Sequence, residues 1–219
     1  MKQELTELVF ILDKSGSMSG TESDTIGGYN SMLKKQKAMD GQCHLTTVLF
    51  DNEYELLHDR IDINGVNPIS TAEYSVGGST ALLDAIGTTI HKIGSVQKHT
   101  AQAYRADKVI FVIITDGEEN ASREYSVKQV KELISRQKKE FNWEFIFLGA
   151  NIDAVATADR IGIKADRVQN FRSDGAGVRL NYQVVSEAVS AFRLNAIIPP
   201  DWDDEIRKDY EKRSKKPKS

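Results

Sequence analysis

Leu8-Val9-Phe10-Ile11-Leu12 runs straight into Asp13-Lys14-Ser15-Gly16-Ser17, and the fold is decided at that junction. Five consecutive apolar residues have the character of a strand buried on both faces, as in the middle of a parallel sheet. The turn that follows presents one carboxylate and two hydroxyls at the strand's carboxyl end. A second junction of the same kind occurs where Val109-Ile110-Phe111-Val112-Ile113-Ile114 gives way to Thr115, Asp116 and Gly117. Two such strands belong at the centre of one sheet, so Asp13 and Asp116 are expected on the same edge.

Outward from these strands, strand and helix patterns alternate. Leu5 to Leu12 reads as the first strand. Thr21 to Met39 reads as a helix with Ile26, Tyr29 and Leu33 on one face, weakened by about 1 kcal/mol at each of Gly27 and Gly28. His44 to Phe50 and Tyr54 to Leu57 are strands whose link, Asp51-Asn52-Glu53, allows only a hairpin, so one edge strand is antiparallel. A polar connection from Asp59 to Gly78 leads to Thr80 to Val96, with Leu82, Ile86, Ile90 and Ile93 at helical spacing. Ser126 to Lys139 is a helix aligning Val127, Val130 and Ile134. Trp143 to Leu148 is a strand, Asp153 to Ile161 a short helix, and Arg167 to Phe171 the last strand. Val178 to Leu194 closes the pattern, with Tyr182, Val185, Val189 and Phe192 on its buried stripe.

This alternation predicts an α/β fold with an open, mostly parallel sheet and right-handed crossovers. Ligands of such sheets bind outside the carboxyl ends of the strands. Pro199-Pro200 ends the pattern, which predicts a domain over 1–198 and a charged tail over 199–219. The final residues Lys212, Arg213, Lys215, Lys216 and Lys218 have no acid among them and read as a solvated end. No internal repeat is visible.

The chain has 219 residues, 40% apolar and 28% charged, enough for one large domain with a real core. A net charge of −3 gives no sign of nucleic-acid affinity. Cys43, the lone cysteine, cannot form an internal disulfide; it suits a reducing compartment and reads as a small buried hydrophobe on a strand. Met1-Lys2-Gln3-Glu4 shows no leader pattern, and no stretch approaches the roughly 20 apolar residues that span a bilayer. A cytoplasmic protein without membrane insertion is expected.

The chemistry lies in the loops. Asp13, Ser15 and Ser17 alternate along an extended turn and can point to a common centre, with Gly16 letting the backbone bend between them. Thr80, after Gly77-Gly78-Ser79, opens a helical pattern, and Asp116 ends a strand. Together these are five oxygen donors on three loops. Magnesium takes oxygen ligands in near-octahedral order and holds its waters tightly. Neutral hydroxyls with few acids leave such an ion electrophilic, so it can accept a carboxylate from outside. Taken singly, each piece has a plain reading as a turn or a helix cap; as a set, in this order and after these strands, they point to a cation site.

Leu12-Asp13-Lys14-Ser15-Gly16-Ser17-Met18, Gly78-Ser79-Thr80-Ala81-Leu82-Leu83-Asp84-Ala85 and Ile114-Thr115-Asp116-Gly117 resemble the von Willebrand factor A domain and its metal-ion-dependent adhesion site. The resemblance covers roughly Leu5 to Leu194, and no motif position departs from the pattern. It implies a six-stranded, doubly wound sheet with helices on both faces, and a bound magnesium, manganese or calcium ion held by Asp13, Ser15, Ser17, Thr80 and Asp116. In the absence of an accessory domain, leader or disulfide, the chain looks like the compact stand-alone type of bacteria and their phages. Lys14, Met18, Glu118, Glu119, Asn120 and Asn151 are expected around the site. Rim acids would disfavour an acidic ligand and Lys14 would favour it, each by about 1 kcal/mol for a close pair in water.

Catalysis needs a nucleophile, base or cofactor near the metal. His44, His58, His91 and His99 lie outside the three loops, Cys43 has no motif around it, and a phosphate-binding loop is absent. A phosphotransferase using Asp13 would want a second aspartate where Ser15 stands, although metal-assisted hydrolysis stays open in principle. The chain is therefore expected to be non-catalytic: a protein-binding module in which a partner's Asp or Glu completes the metal's coordination. The alternative is a subunit of an ATPase-driven complex in metal insertion, stress response or remodelling; a metal-dependent phosphohydrolase comes after it.

Overall fold

The structure, a computed structural model, describes residues 4–214; the charged start Met1-Lys2-Gln3 and the basic residues Lys215, Lys216 and Lys218 lie outside the described residues. Its strands are β1 (Leu5–Asp13), β2 (Gln42–Phe50), β3 (Tyr54–Asp62), β4 (Lys108–Thr115), β5 (Glu144–Gly149) and β6 (Val168–Asn170). Its α-helices are α1 (Glu22–Lys37), α2 (Leu82–His99), α3 (Val127–Phe141), α4 (Ala154–Arg160), α5 (Gly175–Asn195) and α6 (Asp204–Ser214). The strands form one sheet in the order β3-β2-β1-β4-β5-β6. All neighbours are parallel except β2 and β3, the antiparallel hairpin.

Every residue of β1 and of β4 is buried, which is why each contains an unbroken apolar run, Leu8 to Leu12 and Val109 to Ile114. Successive side chains of a strand point to opposite sides, and the core divides accordingly. Leu8, Phe10 and Leu12 join one hydrophobic cluster with Tyr29 and Leu33 of α1, Val185 and Val189 of α5, and Ile206 of α6. Val9 and Ile11 join a second with Ile86 and Ile90 of α2, Val130 and Ile134 of α3, and Ala158 of α4. Each buried aliphatic side chain contributes about 1.5–3 kcal/mol. Among the described residues, no helix is long and apolar enough to cross a membrane.

The helical stripes on α2 and α5 are buried as their spacing predicts. Val127, aligned with Val130 and Ile134, is instead exposed, because it occupies the first turn, just after the Ser126–Gln129 capping box that starts α3. β3 runs five residues past Leu57, to Asp62; as an edge strand it carries polar residues that hide its extent. The segment set apart as a charged tail packs part of its length into the domain ahead of its basic end. Trp202 and Ile206 are buried, Trp202 Nε1 donates to the Asp166 carbonyl at 3.0 Å, and α6 follows from Asp204.

At the amino end of the sheet, Glu7 of β1 is fully buried. Arg60 of β3 reaches it with Nε 2.8 Å from its carboxylate, and Thr46 Oγ1 donates to it at 3.3 Å. Arg60 stands at φ 50°, where the β2–β3 register shifts between Leu45 and Thr47, so the edge bulges there.

Candidate metal centre

The strand order changes direction between β1 and β4: from β1 the chain first builds outward through β2 and β3, then returns to β4 on the other side. The loops leaving β1 and β4 therefore flank the place where ligands bind in open sheets of this kind. Leu12 pairs with Ile114, which sets Asp13 beside Thr115 and ahead of Asp116.

Asp13 is almost fully buried. The Ser15 amide donates to Oδ1 at 2.7 Å, and Thr115 Oγ1 donates to Oδ2 at 2.5 Å. Tyr74 hydroxyl donates to the Asp13 carbonyl at 2.6 Å and pins the end of β1. Burial pushes the Asp13 carboxyl above its ordinary range, the Ser15 and Thr115 donors pull it down, and Asp116 adds to the rise. Burial likewise raises Asp116, opposed by the Ser17 and Ser173 hydroxyls. Among the described residues, the groups acting most strongly on the two acids are hydroxyls, backbone amides and, for Asp13, the other acid. Two desolvated carboxylates held by neutral donors form a site that favours a cation.

The hydroxyls converge on the same place. Ser15 Oγ and Ser17 Oγ are 3.0 Å apart. A Cβ added to Gly117 would lie 2.8 Å from Thr80 Oγ1, 3.0 Å from Ser17 Oγ and 3.6 Å from Ser15 Oγ. Hydroxyls from two loops thus surround a point on the third, and only glycine leaves that space open. Asp116 Oδ2 accepts from Ser173 Oγ at 3.1 Å, whereas Asp116 Oδ1 is buried with no hydrogen bond among the described residues. An unpartnered buried carboxylate oxygen beside three hydroxyls fits a hard, oxygen-seeking divalent ion. The described residues hold no cluster of three His, Cys, Asp or Glu placed for a metal; this centre draws most of its donors from hydroxyls.

The residues expected on the rim fall in different places. Lys14 Nζ is 2.6 Å from Glu55 on β3, which takes up its charge. Met18 is buried. Glu119 accepts from the Leu83 amide at the start of α2 and from the amides of Ala121 and Ser122, so it caps and braces the loops. Asn120 Oδ1 accepts from the Thr80 amide at 2.9 Å and holds the second loop to the third. Glu118 and Asn151 are exposed, Asn151 with φ 55°. Thr80 precedes the helix, since α2 begins at Leu82.

Thr115, Tyr74 and Ser173 all touch the acids and escaped the sequence reading. Thr115 carried a signal: a hydroxyl ending the strand next to the one bearing Asp13. Ser173 carried none. Cys43 is buried on β2, and burial pushes its thiol up to about 12, far from nucleophilic. His91 and His99, both on α2, bond with Tyr125 and with Ser95. A groove of about 490 Å³ between α1 and α5 is lined by residues such as Gly28, Met32 and Tyr182 and includes none of the five donors.

No family model and no curated protein matches this chain. Solved structures do. A von Willebrand factor type A protein from Catenulispora acidiphila superposes with a TM-score of 0.60 at 13% identity, over 86% of this chain and 43% of that one. The ArnB paralog VWA2 from Sulfolobus acidocaldarius gives 0.54 at 16% identity, over 85% and 45%. Proximal thread matrix protein 1 from the mussel byssus, solved with its MIDAS motif occupied by zinc, gives 0.54 at 14%, over 86% and 46%. The chain spans less than half the length of each. At such identities the likeness is one of fold: a six-stranded α/β sheet of von Willebrand factor A type.

Proposed function

We propose that the chain is a divalent-metal-dependent protein-binding module whose Asp13, Ser15, Ser17, Thr80 and Asp116 hold magnesium, manganese or calcium. The observation that carries this reading is the meeting of three hydroxyls and two buried carboxylates whose strongest neighbours are hydroxyls and amides. The mussel structure, with zinc in its MIDAS motif, lends support from a protein of the same fold. A bound ion supplies a Lewis-acidic position for a carboxylate of a partner protein. The chain's own part is to keep the donors uncharged where it can: with hydroxyls contributing no charge, two acids leave a divalent ion able to attract a further anion.

Binding is favoured over catalysis because the groups touching the acids are hydroxyls and backbone amides, which cannot serve as general bases near neutral pH. Membership of the helices in two separate clusters supports a doubly wound arrangement. A cytoplasmic setting accords with the single, buried cysteine.

The test uses a labelled peptide with one central Asp and its Asn counterpart, each titrated against the chain in magnesium and in EDTA. The Asp peptide should bind in magnesium alone, and Thr80→Ala should weaken it. Equal binding in EDTA would sink the coordination mechanism, and calorimetry showing no magnesium affinity would sink the site.

A further inference from the structure

The loop between β6 and α5 supplies none of the five donors, yet it reaches the centre. Ser173 Oγ donates to Asp116 Oδ2 at 3.1 Å. The residues on either side are gripped by α6. Arg213 NH1 donates to Asp174 Oδ2 at 2.6 Å, and Arg213 is itself steadied by Asp209. The Arg172 guanidinium lies 4.9 Å from the centre of the Tyr210 ring, and its NH2 group donates to Ser214 Oγ at 2.6 Å. Asp174 also caps α5, accepting from the Gly177 amide at 2.9 Å. Of three consecutive residues, the outer two are tied to α6 and the middle one to Asp116.

We propose that Ser173 is a positioning residue for the metal centre and that α6 holds it in place, an inference that rests on the metal reading above. A carboxylate with one tethered oxygen has one orientation. Ser173 binds Oδ2 and leaves the buried, unpartnered Oδ1 as the oxygen offered to the ion. Without that bond the carboxylate loses one of the two hydroxyls that act on it, the other being Ser17, and is held less firmly in that orientation. Hydrogen bonds that orient a ligand from outside the coordination shell typically govern 10–100-fold in metal affinity. The affinity of the centre therefore depends on a helix that contributes no donor to it. That helix is anchored separately in the core by its Ile206 and by Trp202 in the segment just before it.

The experiment measures magnesium and manganese affinity of the full chain by calorimetry, alongside the melting temperature in EDTA. Ser173→Ala should weaken both metals about 10-fold with no change in the EDTA melt, and Ser173→Thr, which keeps the hydroxyl, should restore affinity. Arg213→Ala should weaken binding about threefold, in line with a half-exposed ion pair, and add nothing once Ser173 is alanine. Affinity of Ser173→Ala within about twofold of the parent, where an outer-shell bond predicts far more, overturns the assignment, as does a loss matched by a lower EDTA melt. Full additivity of the two variants overturns the role of α6. A parent chain with no metal affinity overturns both this inference and the reading it rests on.

Discussion

Glu7 and Asp13 sit on the same strand, six residues apart, and both are removed from water. Glu7 has Arg60 against it at 2.8 Å; Asp13 has a hydroxyl, an amide and another acid nearby. The amino end of the sheet thus neutralises its buried charge internally. The carboxyl end leaves it to be neutralised from outside. Burial raises both carboxyls and Arg60 pulls Glu7 back down, so a metal ion at Asp13 and Asp116 would play the part that Arg60 plays at Glu7.

Asp13→Asn bears hardest on this comparison. The amide keeps the shape and can accept from Ser15 and donate to Thr115, whose hydroxyl can turn to the Gly117 carbonyl 3.2 Å away. Magnesium affinity should fall more than about 100-fold, beyond the usual cost of outer-shell changes, while the melt in EDTA holds or rises. A collapse of the metal-free fold would show that Asp13 is a structural acid like Glu7. Next comes Arg60→Met, which strands the buried Glu7 and should cost about 3 kcal/mol in urea unfolding at pH 7 with magnesium affinity unchanged. Its pH dependence has a definite sign. Removing Arg60 raises the folded Glu7 carboxyl further, so stability is lost as pH rises through that value and recovered below it as Glu7 takes a proton. A deficit that does not shrink on acidification would refute the pairing. The smallest effect is expected of Gly117→Ala, whose methyl would crowd Thr80 and Ser17 and weaken magnesium about 10-fold, comparable with disturbing a ligand's support. Unchanged affinity there would mean that the hydroxyls do not share one centre.

Much of this was legible because the deciding signals are local. Asp13 and Asp116 each follow an apolar run, and such runs become central strands for reasons present in the run itself. The gathering of Ser17, Thr80 and Asp116 at one place followed once their loops were assigned to one sheet edge. What escaped depends on distant partners. Ser173 follows a three-residue strand and meets Asp116 from 57 residues away. Glu119 reads as a rim acid until the Leu83 amide is seen to need it. The helix α6 offers few apolar residues, so its docking could not be read from periodicity. Gly28 reads as a weak point in α1, but a Cβ there would meet the Tyr182 ring at 2.4 Å; the glycine is what lets α1 and α5 approach.

The bulge at Arg60 has a consequence for how the protein behaves when concentrated. β3 is a nine-residue edge with one side unpaired in the sheet, and a long flat edge of that kind invites a second copy to add its own strand. A left-handed residue in its second half breaks the regular row of amides and carbonyls that such pairing requires. The arginine that neutralises Glu7 therefore also guards the sheet against growing by one strand per molecule.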